Sequence, residues 1–244
     1  MFNLLGYSMY WEYYIMGIIL VPGILFSIYA QIKVSSTVSA YSKVPASSGK
    51  TGAEVARMLL DLAGLQHIQI KRVAGNLTDY YDHKNKTLAL SASVHDSTSV
   101  TALGVATHEV GHALQYKSGY APIKLRNLAI PLANFASTLM WPLLIIGMIF
   151  NFAIASNGIF GDIMLWGGIA VFGLAVIVNL VTLPVEYNAS NRALKILKQS
   201  NLLNGQENIY AKKVLNAAAL TYVAALLVSI LNLIRFLIVI GNDR

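Results

Sequence analysis

The stretch Val100-Thr-Ala-Leu-Gly-Val-Ala-Thr-His-Glu-Val-Gly-His-Ala-Leu-Gln-Tyr116 is the most informative in this 244-residue chain. Asp96-Ser-Thr-Ser99 ahead of it supplies N-cap candidates and Gly119 behind it a stop signal, so a helix is expected over Val100 to Tyr116. Ala102, Leu103, Val105, Ala106, Val110, Ala113 and Leu114 make that helix substantially buried. Within it, His108-Glu-Val-Gly-His112 is an H-E-x-x-H sequence, whose i, i+4 spacing puts both imidazoles on one face, about one turn apart. Two imidazoles so placed can share one metal ion, with Glu109 beside the open coordination position. Zinc there raises the acidity of a bound water. Glu109 can then take the water's proton during attack on a peptide carbonyl and pass it to the leaving amine. The alternative, two histidines hydrogen-bonded in a core, is expensive, because three polar groups within one turn of an apolar helix need partners or a metal.

A catalytic zinc takes a third protein ligand and keeps a fourth position for water. Glu186 is the preferred candidate, since it follows Pro184 at the end of an apolar segment and opens the polar helical stretch Glu186-Tyr-Asn-Ala-Ser-Asn-Arg-Ala-Leu194. On the residues alone, an interfacial Glu186 paired with Arg192 or a lysine is an equal alternative. His95 and Asp96 are rival ligands, better read as a loop residue and an N-cap.

Composition sets the surroundings. The chain is 56% hydrophobic and 12% charged, with a mean hydropathy of +0.57, which argues against a purely soluble protein. It has no cysteine, so disulfides and thiolate sites are excluded. Four apolar stretches could cross a bilayer: Tyr13 to Ala30, Leu128 to Phe150, Ile163 to Leu183 and Ala217 to Ile240. No Lys or Arg precedes the first and no Ala-x-Ala site follows it, so it reads as a retained anchor and not a signal peptide. Of the 18 basic residues, 11 lie between Gln31 and Asn127 and 5 between Pro184 and Val214, which makes those two loops cytoplasmic and sends both termini outward. Arg235, inside the last apolar run, reads as a snorkelling residue at its outer end. The net charge of +7 is thus topological, and no nucleic-acid partner is expected.

The longer loop reads as α+β. Thr51-Gly-Ala-Glu54 is a capping box ahead of Val55, Ala56, Met58, Leu59 and Leu62, which recur with helical spacing. Ile68 to Val73 reads as a strand, and Leu77 to Tyr81 and Thr87 to Ser91 flank a polar turn at Asp82 to Lys86. Asp79 and Asp82 fit turn and cap roles. Ser35 to Gly52, rich in Ser, Gly and Pro, reads as a linker.

Three blocks carry a family resemblance: Leu77-Thr-Asp-Tyr-Tyr-Asp82 with Asn85-Lys-Thr-Leu88, Gly104-Val-Ala-Thr-His-Glu-Val-Gly-His-Ala-Leu-Gln115, and Leu183-Pro-Val-Glu-Tyr-Asn-Ala-Ser-Asn-Arg-Ala-Leu194. In these the sequence resembles the YugP-type membrane neutral zinc metallopeptidases, within the wider gluzincin group. The resemblance implies His108, His112 and Glu186 as zinc ligands and Glu109 as general base and acid. Membrane gluzincins of the prenyl-protein protease and HtpX type carry an Asp four residues beyond the ligand Glu, where this chain has Ser190. The orienting role of that Asp is then expected from another group, such as Asn188 or a backbone carbonyl. Zincin-like proteases hold extended substrates on an edge strand, and Lys86, Thr87, Leu88, Ala89 and Leu90 are the candidate strand, with a purely structural strand the equal alternative. Tyr187, Asn188 and Arg192 are candidates for oxyanion or ligand support.

The expected protein is an α-helical integral membrane protein with about four transmembrane helices and a small α+β zincin-like metalloprotease domain. Residues 1–30 would be an anchor, 31–127 the catalytic region, 128–183 two membrane helices, 184–214 the segment supplying the third ligand, and 215–244 the last membrane helix. The expected activity is zinc-dependent endopeptidase action on membrane-associated or unfolded chains, with one zinc per chain, at the cytoplasmic face of a bacterial-type plasma membrane. The alternative is a zinc-containing membrane scaffold without proteolysis.

Overall fold

The computed structural model describes residues 17–150 and 159–242. It is mostly helical, in the order α1 (Val21–Tyr41), α2 (Gly52–Leu62), β1 (Gln69–Val73), β2 (Tyr80–Asp82), β3 (Thr87–Ser91), α3 (Ala92–His95), α4 (Val100–Lys117), α5 (Ala121–Met148), α6 (Ile159–Ser200) and α7 (Gly205–Asn242). The chain divides into two compact units: Met1–Ile28, Lys124–Thr182 and Tyr222–Arg244 in the first, Tyr29–Ile123 and Leu183–Thr221 in the second.

The first unit is apolar helix. α6 and α7 are each long and apolar enough to cross a membrane, and most of the side chains in their apolar windows are uncovered by protein. Such uncovered apolar surface suits lipid and not water. A third span is possible if the bent pair Ala121–Phe135 and Thr138–Gly147, at 44°, counts as one. The bend lies in α5, which contains Pro131 and Pro142 and so lacks two of the backbone donors a straight helix uses. The described residues therefore support two or three spans where the apolar pattern predicts four. The start of the Tyr13–Ala30 stretch lies outside the described residues.

The second unit holds the core that positions the site. The capping box forms as expected: Thr51 Oγ1 accepts from Glu54 N at 3.2 Å while Glu54 Oε2 accepts from Thr51 N at 2.8 Å. It starts α2 with Val55, Ala56, Leu59 and Leu60 on one face, and all four are fully buried against Leu88, Leu90, Val100, Leu103 and Ala106. Asp82 accepts from the backbone N–H of Lys84 and Asn85, closing the turn between β2 and β3. Asp79 accepts from Ser91 N at 2.7 Å and from Ser91 Oγ, tying the entrance of β2 to the exit of β3.

Two expectations need correction. The sheet order is β1-β3-β2, with β1 parallel and β2 antiparallel to β3. Thr87, Leu88, Ala89 and Leu90 are thus in the buried central strand, and Lys86 is in the turn at a positive φ of 51°. Both flanks of β3 are already paired, so it offers no edge to a substrate. The reason is a long-range parallel pairing, Gln69 with Thr87 through Val73 with Ser91, which no local pattern announces. Nor is Ser35 to Gly52 all linker, because α1 continues to Tyr41. Tyr41 stacks on Tyr210 with centroids 4.6 Å apart, a tertiary contact that offsets the weak helix preference of the serines and threonines.

Candidate metal centre

The second unit brings α4 and α6 together at a glycine. A Cβ placed on Gly111 would lie 2.5 Å from the Ala189 carbonyl oxygen, far inside contact distance, so only glycine lets the two backbones come this close. Glu186 lies one turn before Ala189 on α6, and the approach delivers its carboxylate to the His108–His112 face.

Glu186 Oε2 is 3.2 Å from His108 Nε2 and 3.6 Å from His112 Nε2. One donor atom from each of His108, His112 and Glu186 lies within 4.8 Å of the others. The imidazoles are nearly perpendicular, at 88°. Each ring is held from behind by its other nitrogen. His108 Nδ1 meets Ser190 Oγ at 3.1 Å, and His112 Nδ1 meets Gln115 Oε1 at 3.0 Å.

The second of these contacts fixes a tautomer. Gln115 Nε2 donates to the Val185 carbonyl at 2.7 Å and to Asn188 Oδ1 at 3.0 Å, and Arg192 Nε donates to the same Asn188 oxygen at 2.8 Å. The amide of Gln115 therefore points its oxygen at His112, and His112 Nδ1 must be the donor. Its neutral ring then presents the Nε2 lone pair to the Glu186 carboxylate, two electron-rich groups facing one another. Only a cation between them, a proton or a metal ion, makes that arrangement favourable. Two imidazole nitrogens and one carboxylate oxygen, braced from the second layer, are a donor set that zinc accepts.

The electrostatics agree. Burial would raise the pKa of Glu186, but the hydrogen bonds and charges of His108 and His112 outweigh it and hold the carboxyl well below the ordinary range. Burial would lower the pKa of His112, but Glu186 and Glu109 prevail and raise it. Both shifts express the pull of the cluster for positive charge. Glu109, 7% exposed, is different: burial pushes its carboxyl up against the opposing effect of the two histidines, and it accepts no hydrogen bond among the described residues. It is a buried carboxylate beside His108 on the helix that carries both histidines.

The other sequence candidates fall elsewhere. His95 and Asp96 bond each other at 2.7 Å, and Asp96 also bonds Arg72, so neither joins the cluster. Tyr187 is exposed and lines a separate cavity. Arg192 lies with its guanidinium 5.8 Å from the Tyr120 ring centroid and acts on the site through Asn188. Asn188 in turn supports His112 through Gln115. The side chain expected to need a substitute, Ser190, itself makes the contact to His108. Gln115 was missed, although its i+3 spacing from His112 put it on the ligand face.

The chain thus combines a cluster of two histidines and a glutamate that could hold a metal ion with apolar helices long enough to span a membrane. Residues 16–241 match the profile of a family described as "Putative neutral zinc metallopeptidase", and the chain belongs to that family. It is 45% identical over 219 residues, 89% of this chain and 93% of the relative, to the "Putative membrane protease YugP" of Bacillus subtilis (strain 168). No solved structure matches the chain.

Proposed function

We propose that this chain is a membrane-embedded zinc endopeptidase. The observation that carries the reading is the convergence of His108 Nε2, His112 Nε2 and a Glu186 oxygen, with Glu109 buried next to them and its carboxylate accepting no hydrogen bond among the described residues. The family membership and the YugP relative support the same chemistry.

His108, His112 and Glu186 would hold the ion, while Ser190 and Gln115 keep the imidazoles turned towards it. Zinc, when bound there, supplies Lewis acidity that makes a water easier to deprotonate and a peptide carbonyl easier to attack. Glu109 takes the proton of the attacking water on its free carboxylate oxygen. It then gives that proton to the amide nitrogen as the C–N bond breaks, so one residue serves as base and acid.

The charge distribution favours both loops on the cytoplasmic face, with four spans and both termini outside. The substrate class that fits is an unfolded or membrane-associated polypeptide.

The test is metal content together with cleavage of an unfolded test protein by the detergent-purified full chain. One zinc per chain, kept in Glu109→Gln and weakened in Glu186→Ala, with cleavage lost in both, is the expected result. Zinc bound with no effect of Glu109→Gln on any activity would favour the scaffold alternative, and no bound metal would overturn the reading.

A further inference from the structure

A cavity of about 540 Å³ lies in the same unit as the His108, His112 and Glu186 cluster, lined by Lys33, Thr37 and Tyr41 of α1, Tyr187 of α6, and Lys213, Asn216, Ala217 and Leu220 of α7. None of its lining residues is acidic. Neither ammonium has a hydrogen-bond or ion-pair partner among the described residues. Lys213 Nζ is instead held 5.9 Å and 5.8 Å from the ring centroids of Tyr41 and Tyr210, the stacked pair that locks α1 to α7. Cation–π contact of this kind localises an ammonium without neutralising it. Two unneutralised cations lining one cavity, with Thr37, Tyr41 and Asn216 as neutral hydrogen-bonding groups, suit an oxyanion.

Position along the chain says where that anion comes from. The apolar stretch ending at Ala30 stops three residues before Lys33, and the one starting at Ala217 begins four residues after Lys213. At about 1.5 Å per helical residue, Lys33 lies about 4.5 Å and Lys213 about 6 Å beyond the apolar segments. The headgroup layer of a bilayer leaflet is about 5–7 Å thick.

We propose that this cavity binds the phosphate of an anionic phospholipid headgroup, held between Lys33 and Lys213. The proposal rests on the reading that α1 and α7 enter a bilayer. The cytoplasmic leaflet, the side to which the basic residues assign these loops, is where anionic lipid attracts such residues. Tyr187 directly follows the ligand Glu186, so the headgroup sits against the same turn of α6 that carries the metal ligand, and the active unit is docked at a fixed depth on the membrane surface.

The test uses the full chain, zinc-loaded, in nanodiscs of equimolar phosphatidylcholine and phosphatidylglycerol, with the lipid retained after detergent extraction read by native mass spectrometry. Wild type is expected to retain phosphatidylglycerol preferentially. Lys33→Gln and Lys213→Gln should each weaken that retention about fivefold, and the double variant about twenty-five-fold. Lys198→Gln, a surface cation outside this cavity, should leave it unchanged, and zinc content should stay the same in all of these. Equal retention by wild type and the double variant, or an equal loss in Lys198→Gln, overturns the proposal. Inorganic phosphate is expected not to displace the lipid. If it binds with the same lysine dependence and displaces lipid without regard to headgroup, the ligand is a soluble anion and the lipid assignment falls. Recovery of the chain in the membrane fraction is scored separately: a chain absent from it overturns the membrane reading, whereas a chain present without headgroup preference overturns only this site.

Discussion

Gly111 packs against Ala189 so closely that a side-chain carbon on the glycine would sit 2.5 Å from the alanine carbonyl oxygen. The third residue between the two histidines therefore sets the distance between helices, and through it the position of Glu186. Gly111→Ala is expected to force α4 and α6 apart and to lower zinc affinity at least tenfold, with an overpacking cost of about 1–3 kcal/mol. Gly104→Ala on the same helix is the control, because its Cβ would meet nothing closer than 3.7 Å. That substitution should keep zinc and stabilise the helix by about 0.5–1 kcal/mol. Zinc per chain after dialysis separates the two outcomes.

The contacts behind the histidines predict a graded series. Gln115→Leu removes the acceptor for His112 Nδ1 and should cost about 10–100-fold in metal affinity. Ser190→Ala loses the partner of His108 Nδ1 and should fall in the same direction, while Ser190→Asp, which restores a hydrogen-bond acceptor, should keep tight binding. Competition with a fluorescent zinc chelator measures all three.

Metal removal should destabilise the second unit. Without the metal only a proton can lie between Glu186 and His112 Nε2, which leaves the cluster less tightly held, so the apo protein is expected to melt well below the zinc form. At a free zinc concentration about a thousandfold above its dissociation constant, the linkage is about 4 kcal/mol. Glu186→Gln removes the facing charge and should narrow the gap between apo and zinc forms. Thermal melts with and without chelator would show a wrong assignment as an unchanged gap.

Leu60 and Leu88 are fully buried where α2 packs on the sheet. Truncating either to alanine should destabilise this unit by about 2–5 kcal/mol, since the close-packed core collapses only partly into the cavity. Met58, 38% exposed on the opposite face of α2, should tolerate alanine with little change in melting temperature.

What the sequence determined is what depends on neighbours along the chain. Helix geometry alone puts His108 and His112 on one face, and side-chain reach alone lets Thr51 and Glu54 cap α2. Hydropathy over about twenty residues marks α6 and α7 as able to span a bilayer. The i, i+3 step from His112 to Gln115 was equally legible, though its use depends on what lies across from it.

Tertiary structure decided the rest. Glu186 is 78 residues from His108, and only the packing of α6 onto Gly111 brings them to 3.2 Å. Ser190 and Asn188 take their roles from the same docking, which a residue count along either helix does not contain. β3 became the centre of its sheet through a parallel partner 18 residues away, a pairing set by which surfaces bury together and not by alternation within either strand. Lys33 and Lys213 are 180 residues apart, and the stacking of Tyr41 on Tyr210 helps make them walls of one cavity. Local spacing specifies what a residue can do; burial of apolar surface between distant segments determines which residues do it together.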